Sequence, residues 1–137
     1  MITLAQQLDR CGIIVHTNKG TSMLPLLREN RDLMVVRKKG AAKPQKYDAV
    51  LYLRDSGEYV LHRILKVYSD SCYIIGDNCI HGEEVTDDHV LGVLEEIVRD
   101  GKTIRVTDIG YRIFVRVWWA IYPIRVLLKL LRMKLSV

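Results

Sequence analysis

The sequence predicts a mainly β domain that begins with a short helix and ends in an amphipathic helical segment. Short runs rich in β-branched and aromatic residues recur along the first 110 residues, separated by turn-forming Gly, Asp, Asn and Pro. Residues 111–137 instead place Arg and Lys at helical spacing among apolar side chains. We therefore divide the 137-residue chain into a body, residues 1–110, and a tail, residues 111–137.

The elements of the body follow from local patterns. Residues 2–10 predict an amphipathic helix, and Gly12 ends it because glycine readily adopts the left-handed C-terminal geometry. The Asp-Ser-Gly triplet at residues 55–57 predicts the turn of a β-hairpin. Residues 38–46, rich in Lys, Gly, Ala and Pro, predict a loop. Strands are predicted at residues 13–16, 33–37, 48–54, 58–67, 72–75, 90–98 and 103–107.

The charge distribution argues against a nucleic-acid-binding protein. The net charge is +5, but the tail alone carries six basic side chains and no acidic one. The body holds 15 basic and 16 acidic side chains and is therefore almost neutral. The three cysteines are an odd number without Cys-x-x-Cys spacing, which suits a reducing compartment rather than a disulfide framework.

Three segments contain side chains with catalytic potential, although each pattern alone is more often structural. The segment GTSMLP at residues 20–25 holds Ser22 in a turn whose backbone N–H groups can face a substrate carbonyl. His62 lies on an apolar strand, and its neutral imidazole would suit a general base. The segment IIGDN at residues 74–78 ends a strand with Asp77, which either forms a turn or orients an imidazole.

In their order and spacing, these segments resemble the type I signal peptidases and their LexA-like relatives, over roughly residues 17–98. The resemblance is closest to the branch typified by the catalytic subunit of archaeal and eukaryotic signal peptidases, in which histidine replaces the bacterial lysine base. It implies a signal-peptidase-like β-fold and peptide-bond hydrolysis through an acyl-enzyme. Ser22 would then be the nucleophile and His62 the general base, with no cofactor.

Two parts of the implied site stay open. Asp77 is the preferred third member, and Glu83 is the alternative acid because relatives often carry another acid shortly after the Gly-Asp-Asn motif. Many relatives also have a hydroxyl residue two positions before the nucleophile, where this chain has Gly20. We therefore assign Gly20, Thr21 and Met23, which flank the nucleophile, to the oxyanion hole and to substrate positioning.

A metal site is not expected. Cys79, His81 and Glu83 alternate along one segment, but a second Cys/His pair is missing elsewhere in the sequence.

The tail predicts attachment to a membrane surface. Its longest uncharged run, residues 117–124, has eight residues, far fewer than the ~20 needed to cross a bilayer. Arg and Lys interleaved with Trp, Tyr and Leu suit an anionic lipid interface. The alternative is a helix packed on the body or on a second copy. Because no secretory signal is visible, we expect a peripheral protein on the cytoplasmic side of the membrane.

Together these features predict a serine endopeptidase that removes a leader or signal segment from a peptide or protein precursor at a membrane surface. The anchoring differs from that of signal peptidases, which use an N-terminal spanning helix. The alternative from another class is a non-catalytic membrane adaptor that retains the peptidase fold and binds peptides.

Overall fold

A computed structural model describes residues 2–135 of the chain. The chain divides into two compact units, the first ending at Val106 and the second beginning at Thr107. The first unit contains α1 (Leu4–Cys11), β1 (Ile13–Thr17), β2 (Leu33–Lys38), β3 (Ala49–Leu53), β4 (Tyr59–Val67), β5 (Ser71–Ile75), β6 (Glu83–Thr86), β7 (Val90–Arg99) and β8 (Lys102–Arg105). A single 3₁₀ turn in the described chain, Asp87–His89, precedes β7, and the second unit contains α2 (Ile109–Ala120) and α3 (Tyr122–Leu135).

The strands form one antiparallel sheet, which confirms the prediction of a mainly β protein. Its order is β1-β2-β7-β3-β4-β5-β6, and β8 pairs with β7. Each predicted strand is present to within two residues at either end. The structure adds one strand that the sequence did not predict, β6. Two glutamates begin this strand, and only Val85 of its four residues is buried.

Helix α1 is stabilised at both ends by the residues that flank it. The Thr3 side chain accepts a hydrogen bond from the backbone N–H of Gln6, and the Gln6 side chain accepts one from the backbone N–H of Thr3. Gly12 ends the helix with φ of 75°, as the sequence predicts. The helix begins two residues later than predicted because Thr3 is its N-cap.

The centre of the sheet is buried on both faces where β3 and β4 pair. Val50 lies opposite His62, and Tyr52 lies opposite Val60. All five residues from Val60 to Ile64 on β4 are buried, so His62 is fixed within the core rather than on an exposed edge. The surrounding cluster consists of Val50, Tyr52, Val60, Ile64, Cys72, Ile74, Val85 and Val90. Each fully buried aliphatic side chain contributes roughly 1.5–3 kcal/mol through the hydrophobic effect.

The second unit is a pair of helices that expose many apolar side chains. Helix α2 ends near Ile121, and α3 carries Pro123 at its second position, where the missing N–H is not needed for helix hydrogen bonding. None of the helices in the described residues is long and apolar enough to span a bilayer. Exposed apolar side chains on α3 are Ile124, Leu127, Leu128, Leu130, Leu131, Met133 and Leu135.

Candidate active site

Ser22 lies in a turn whose far side is anchored in the core. Met23 and Leu27 are 1% and 0% exposed, respectively, so the side chains that follow the serine hold the turn against the sheet. The Asn18 side chain donates hydrogen bonds to the carbonyls of Gly20 and Leu27 and closes the loop across its base. The Ser22 side chain is therefore presented by a rigid turn, as the GTSMLP segment predicts.

A buried carboxylate fastens the end of the same loop. Asp32 is fully buried and accepts hydrogen bonds from the side chains of Arg28 and Arg99. Burial opposes ionisation, but these hydrogen bonds outweigh it and hold the pKa of Asp32 below its usual range. This network fixes the chain between the turn that holds Ser22 and β2.

The turn brings Ser22 to His62. The Oγ of Ser22 lies 3.0 Å from the Nε2 of His62, across 40 residues of sequence. Burial, followed by the positive charge of Arg54, lowers the pKa of His62 to about 4. The imidazole is therefore neutral near pH 7 and able to accept a proton.

The Gly-Asp-Asn segment that follows β5 holds the serine from the other side. The backbone N–H of Asn78 donates to the carbonyl oxygen of Ser22 at 2.8 Å, and its side-chain amide donates to the Thr21 carbonyl at 3.1 Å. A Cβ placed on Gly76 would lie 2.6 Å from the Ser22 carbonyl oxygen and 3.0 Å from His62 Nε2. Glycine is required here because the backbone passes directly against both groups.

Asp77 occupies a different position from the one preferred on sequence grounds. Its two carboxylate oxygens accept hydrogen bonds from Arg63 at 3.1 and 2.7 Å, and both side chains are completely buried. A buried guanidinium requires a carboxylate partner. Arg63, which is next to His62 on β4, forms its ion pair with Asp77. The structure thus pairs Asp77 with Arg63 and leaves the second ring nitrogen of His62 to another group.

That group is Tyr52, which connects His62 to Glu83. The Tyr52 hydroxyl lies 3.3 Å from His62 Nδ1 and donates to the Glu83 carboxylate at 3.2 Å. Glu83 in turn pairs with Arg54 at 2.6 Å. Sequence reasoning named Glu83 as the alternative acid but missed Tyr52 and Arg54. The predicted hairpin contained the signal, because pairing β3 with β4 places Tyr52 diagonally across from His62 on one face.

The residues assigned to the oxyanion hole divide into backbone donors and structural groups. Among the described residues, the backbone N–H groups of Ser22 and Met23 have no hydrogen-bond acceptor. The N–H of Gly20 is already bonded to Glu29, and Gly20 adopts a φ of 82°. The Met23 side chain is buried, with its sulfur accepting the N–H of Asp77, so it packs in the core and leaves only a main-chain role for this residue.

Ser22 and His62 line a cleft of about 380 Å³, which is large enough for several substrate side chains. Apolar groups contribute much of its wall, including Met34, Leu51 and Leu61. Cys79 also reaches this cleft, with its sulfur 3.9 Å from the Ser22 carbonyl oxygen. Over residues 2–135, no group of three or more His, Cys, Asp or Glu side chains is arranged to hold a metal ion.

The arrangement is chemically specific. A serine hydroxyl is hydrogen-bonded to a neutral imidazole, and the other ring nitrogen of that imidazole is oriented by a third side chain. The backbone N–H groups of Ser22 and Met23 have no acceptor within the described fold, which leaves them available as donors beside the serine. No protein-family model matches the chain, and no curated protein matches it significantly.

Proposed function

We propose that the protein is a serine endopeptidase that cleaves a leader or signal segment from a peptide or protein precursor. Ser22 is the nucleophile and His62 the general base. The observation that carries this proposal is the 3.0 Å contact between Ser22 Oγ and the Nε2 of a buried, neutral imidazole. The precursor specificity rests on the resemblance to signal peptidases described above.

The reaction proceeds through an acyl-enzyme. Ser22 Oγ attacks the scissile carbonyl carbon as its proton moves to His62 Nε2, and the C–N bond then breaks as that proton passes to the leaving amine. Water repeats the sequence on the ester, so the acid is released and the serine hydroxyl is restored. The negative charge of the tetrahedral intermediate lies close to the His62 imidazolium and stabilises this cation until its proton passes to the leaving amine.

Backbone donors stabilise the oxyanion. The N–H groups of Ser22 and Met23 are available because neither is used within the described fold. One such donor contributes roughly 3 kcal/mol to lowering the barrier. The hydroxyl that many signal peptidases carry two positions before the nucleophile is therefore replaced here by main-chain groups.

Labelling with a fluorophosphonate probe tests the nucleophile without knowledge of the substrate. The probe forms a P–O bond to an activated serine and releases fluoride, which adds a defined mass to the intact protein. We expect labelling of the wild type and of Ser69→Ala, an exposed turn serine, but none of Ser22→Ala. Labelling of Ser22→Ala at the wild-type rate would refute the nucleophile assignment.

Cleavage is tested by co-expressing the protein with candidate precursors from its own host and analysing them by mass spectrometry. We expect products with the wild type and none with Ser22→Ala or His62→Ala. A protein that captures precursors, leaves them intact and resists the fluorophosphonate would instead be the peptide-binding adaptor, and the peptidase proposal would fail.

The composition of the second unit supports a location at an anionic membrane surface. Helix α3 combines seven exposed apolar side chains with four basic ones and no acid, a composition suited to lying in an anionic lipid interface. Its basic residues are Arg125, Lys129, Arg132 and Lys134. Each basic side chain near an anionic surface contributes about 1 kcal/mol to binding.

Vesicle flotation of the full chain tests this location. The variant replaces three basic residues of α3 by serine, and the matched control replaces three exposed lysines of the first unit. The first set is Lys129, Arg132 and Lys134, and the control set is Lys46, Lys66 and Lys102. We expect the α3 variant to lose about 3 kcal/mol, or more than a hundredfold, on phosphatidylglycerol vesicles. Equal loss in both variants, or equal wild-type binding to neutral vesicles, would contradict the proposal.

A further inference from the structure

The outer nitrogen of His62 contacts a phenol rather than a carboxylate. The hydroxyl of Tyr52 lies 3.3 Å from Nδ1, and the ring of Tyr52 is completely buried. The two rings meet edge to face, with centroids 6.1 Å apart and planes inclined at 64°. The hydroxyl therefore lies between the buried imidazole and Glu83, whose side chain is partly exposed.

Counting hydrogens along this chain of groups determines the protonation of the imidazole. The Tyr52 hydroxyl has one hydrogen, which it donates to the Glu83 carboxylate. Its oxygen can then only accept from Nδ1, so Nδ1 carries the ring hydrogen. A neutral imidazole has one such hydrogen, which leaves Nε2 bare and able to accept the proton of Ser22.

Arg54 keeps Glu83 in the acceptor role. Its guanidinium bonds both carboxylate oxygens of Glu83 and also reaches Glu58. Because both carboxylate oxygens accept hydrogen bonds from arginine, Glu83 also acts as an acceptor towards the hydroxyl. Burial and the charge of Glu83 both raise the pKa of the Tyr52 phenol above its usual range, so the phenol keeps its hydrogen and donates it to Glu83.

We propose that Tyr52 is a positioning residue that joins His62 to the Glu83–Arg54 pair and holds the imidazole in the tautomer with hydrogen on Nδ1. This inference rests on the proposed serine peptidase function for its catalytic meaning. The hydrogen-bond chain replaces the direct carboxylate contact of a Ser-His-Asp triad. Asp77 does not fill that place because Arg63 holds both its oxygens.

The hydrogen bonds from His62 through Tyr52 to Glu83 support the reaction without moving a proton through the phenol. When Ser22 attacks, its proton passes to Nε2, and the hydrogen on Nδ1 remains in its bond to the Tyr52 oxygen. The new positive charge on His62 is then balanced by Glu83 across the polarised hydroxyl. Tyr52 thus orients the ring before the reaction and transmits the field of the carboxylate during it.

Nitrogen-15 NMR of the histidine side chains tests the tautomer directly. In the uniformly labelled full chain near pH 7, we expect His62 to show a protonated Nδ1 and an unprotonated Nε2. Tyr52→Phe, which removes only the hydroxyl, should shift the ring towards the tautomer protonated on Nε2. Tyr68→Phe, an exposed tyrosine in the β4–β5 turn, should leave the His62 signals unchanged. A wild-type ring protonated on Nε2 would overturn the proposal.

The fluorophosphonate reaction measures the catalytic consequence. We expect Tyr52→Phe to react on the order of tenfold more slowly than the wild type or Tyr68→Phe, the size of effect typical of one lost hydrogen bond. Glu83→Gln removes the charge that balances His62 and can present an amide N–H to the hydroxyl, so it should also slow the reaction and weaken the preference for hydrogen on Nδ1. Circular dichroism would verify that each variant is folded. Should Tyr52→Phe fail to fold, the tautomer of the wild type and the rate of Glu83→Gln still decide the matter.

The two proposals fail separately. If the wild type does not react with the probe, the peptidase function fails, and the tautomer measurement still stands as a test of the chain. If the wild type reacts but Tyr52→Phe matches it in both rate and tautomer, the positioning role of Tyr52 is wrong and the peptidase function is unaffected.

Discussion

Adding one methyl group at Gly76 should disable the proposed catalytic pair, Ser22 and His62, while leaving the sheet in place. The Cβ of Gly76→Ala would meet the Ser22 carbonyl oxygen at 2.6 Å, the Cys79 sulfur at 2.8 Å and the His62 Nε2 at 3.0 Å. The nearest of these is a backbone atom in a turn anchored by buried side chains, so it cannot rotate away. The strain therefore falls on Ser22 and His62 together.

The size of the effect follows from these distances. Ordinary van der Waals contact begins at 3.4 Å, so the Ser22 backbone must retreat by about 0.8 Å. A misplacement of about 1 Å at a reacting group slows catalysis by roughly a hundredfold. Overpacking of this kind also reduces the free energy of unfolding by about 1–3 kcal/mol. We expect both changes in Gly76→Ala.

The assay combines fluorophosphonate labelling rates with urea denaturation. Gly40→Ala is the matched control, because an added Cβ there meets nothing within 4 Å. It should label and unfold like the wild type. The reasoning is refuted if folded Gly76→Ala labels within about twofold of the wild type, since the close approach of Gly76 to Ser22 would then have no functional consequence.

Three further predictions concern titration and buried charge. Because the base must be neutral and burial lowers the pKa of His62 to about 4, the labelling rate should stay level from pH 8 to pH 6 and fall by half near pH 4; a midpoint near 6.5 would contradict this. Asp77→Asn should lower the free energy of unfolding by about 3–5 kcal/mol by leaving Arg63 buried without a carboxylate, whereas the double change with Arg63→Met should recover part of that loss in urea titrations. Asp32→Asn should destabilise the protein at neutral pH. Since the folded-state pKa of Asp32 is depressed, this difference should shrink as the pH falls below 3.8, and a constant gap would argue against it.

Much of the sheet could be predicted from the sequence because its strands are continuous apolar runs ended by turn residues. The hairpin joining β3 and β4 is an example, since Gly57 adopts the left-handed φ of 90° that its turn requires. Strand β6 could not be predicted, because a short strand with one buried side chain has no periodicity of its own. It forms because residues 71–74 of β5 offer it backbone partners.

The candidate site also contains residues that the sequence predicts and residues that only tertiary packing determines. Ser22 and His62 are brought together as expected, because their segments carry local signals that constrain position. The partner of His62 was a choice between Asp77 and Glu83, and local sequence could not decide it. That choice depends on which carboxylate Arg63 captures inside the core, which is a property of tertiary packing. Tyr52 was overlooked because a tyrosine on a buried strand normally contributes to packing alone.

The way the nucleophile turn is held has a consequence for the order of folding. The turn that holds Ser22 is contacted by Asp77 and Asn78, which lie more than fifty residues later in the chain. His62, which contacts the Ser22 hydroxyl, lies on β4, between the turn and those two residues in sequence. Contacts of such sequence separation form late, after the loops between them have closed. Under the proposed function, Ser22 would therefore gain its base and its fixed position only once β4 and β5 have assembled, so a partly unfolded chain is expected to lack hydrolytic activity.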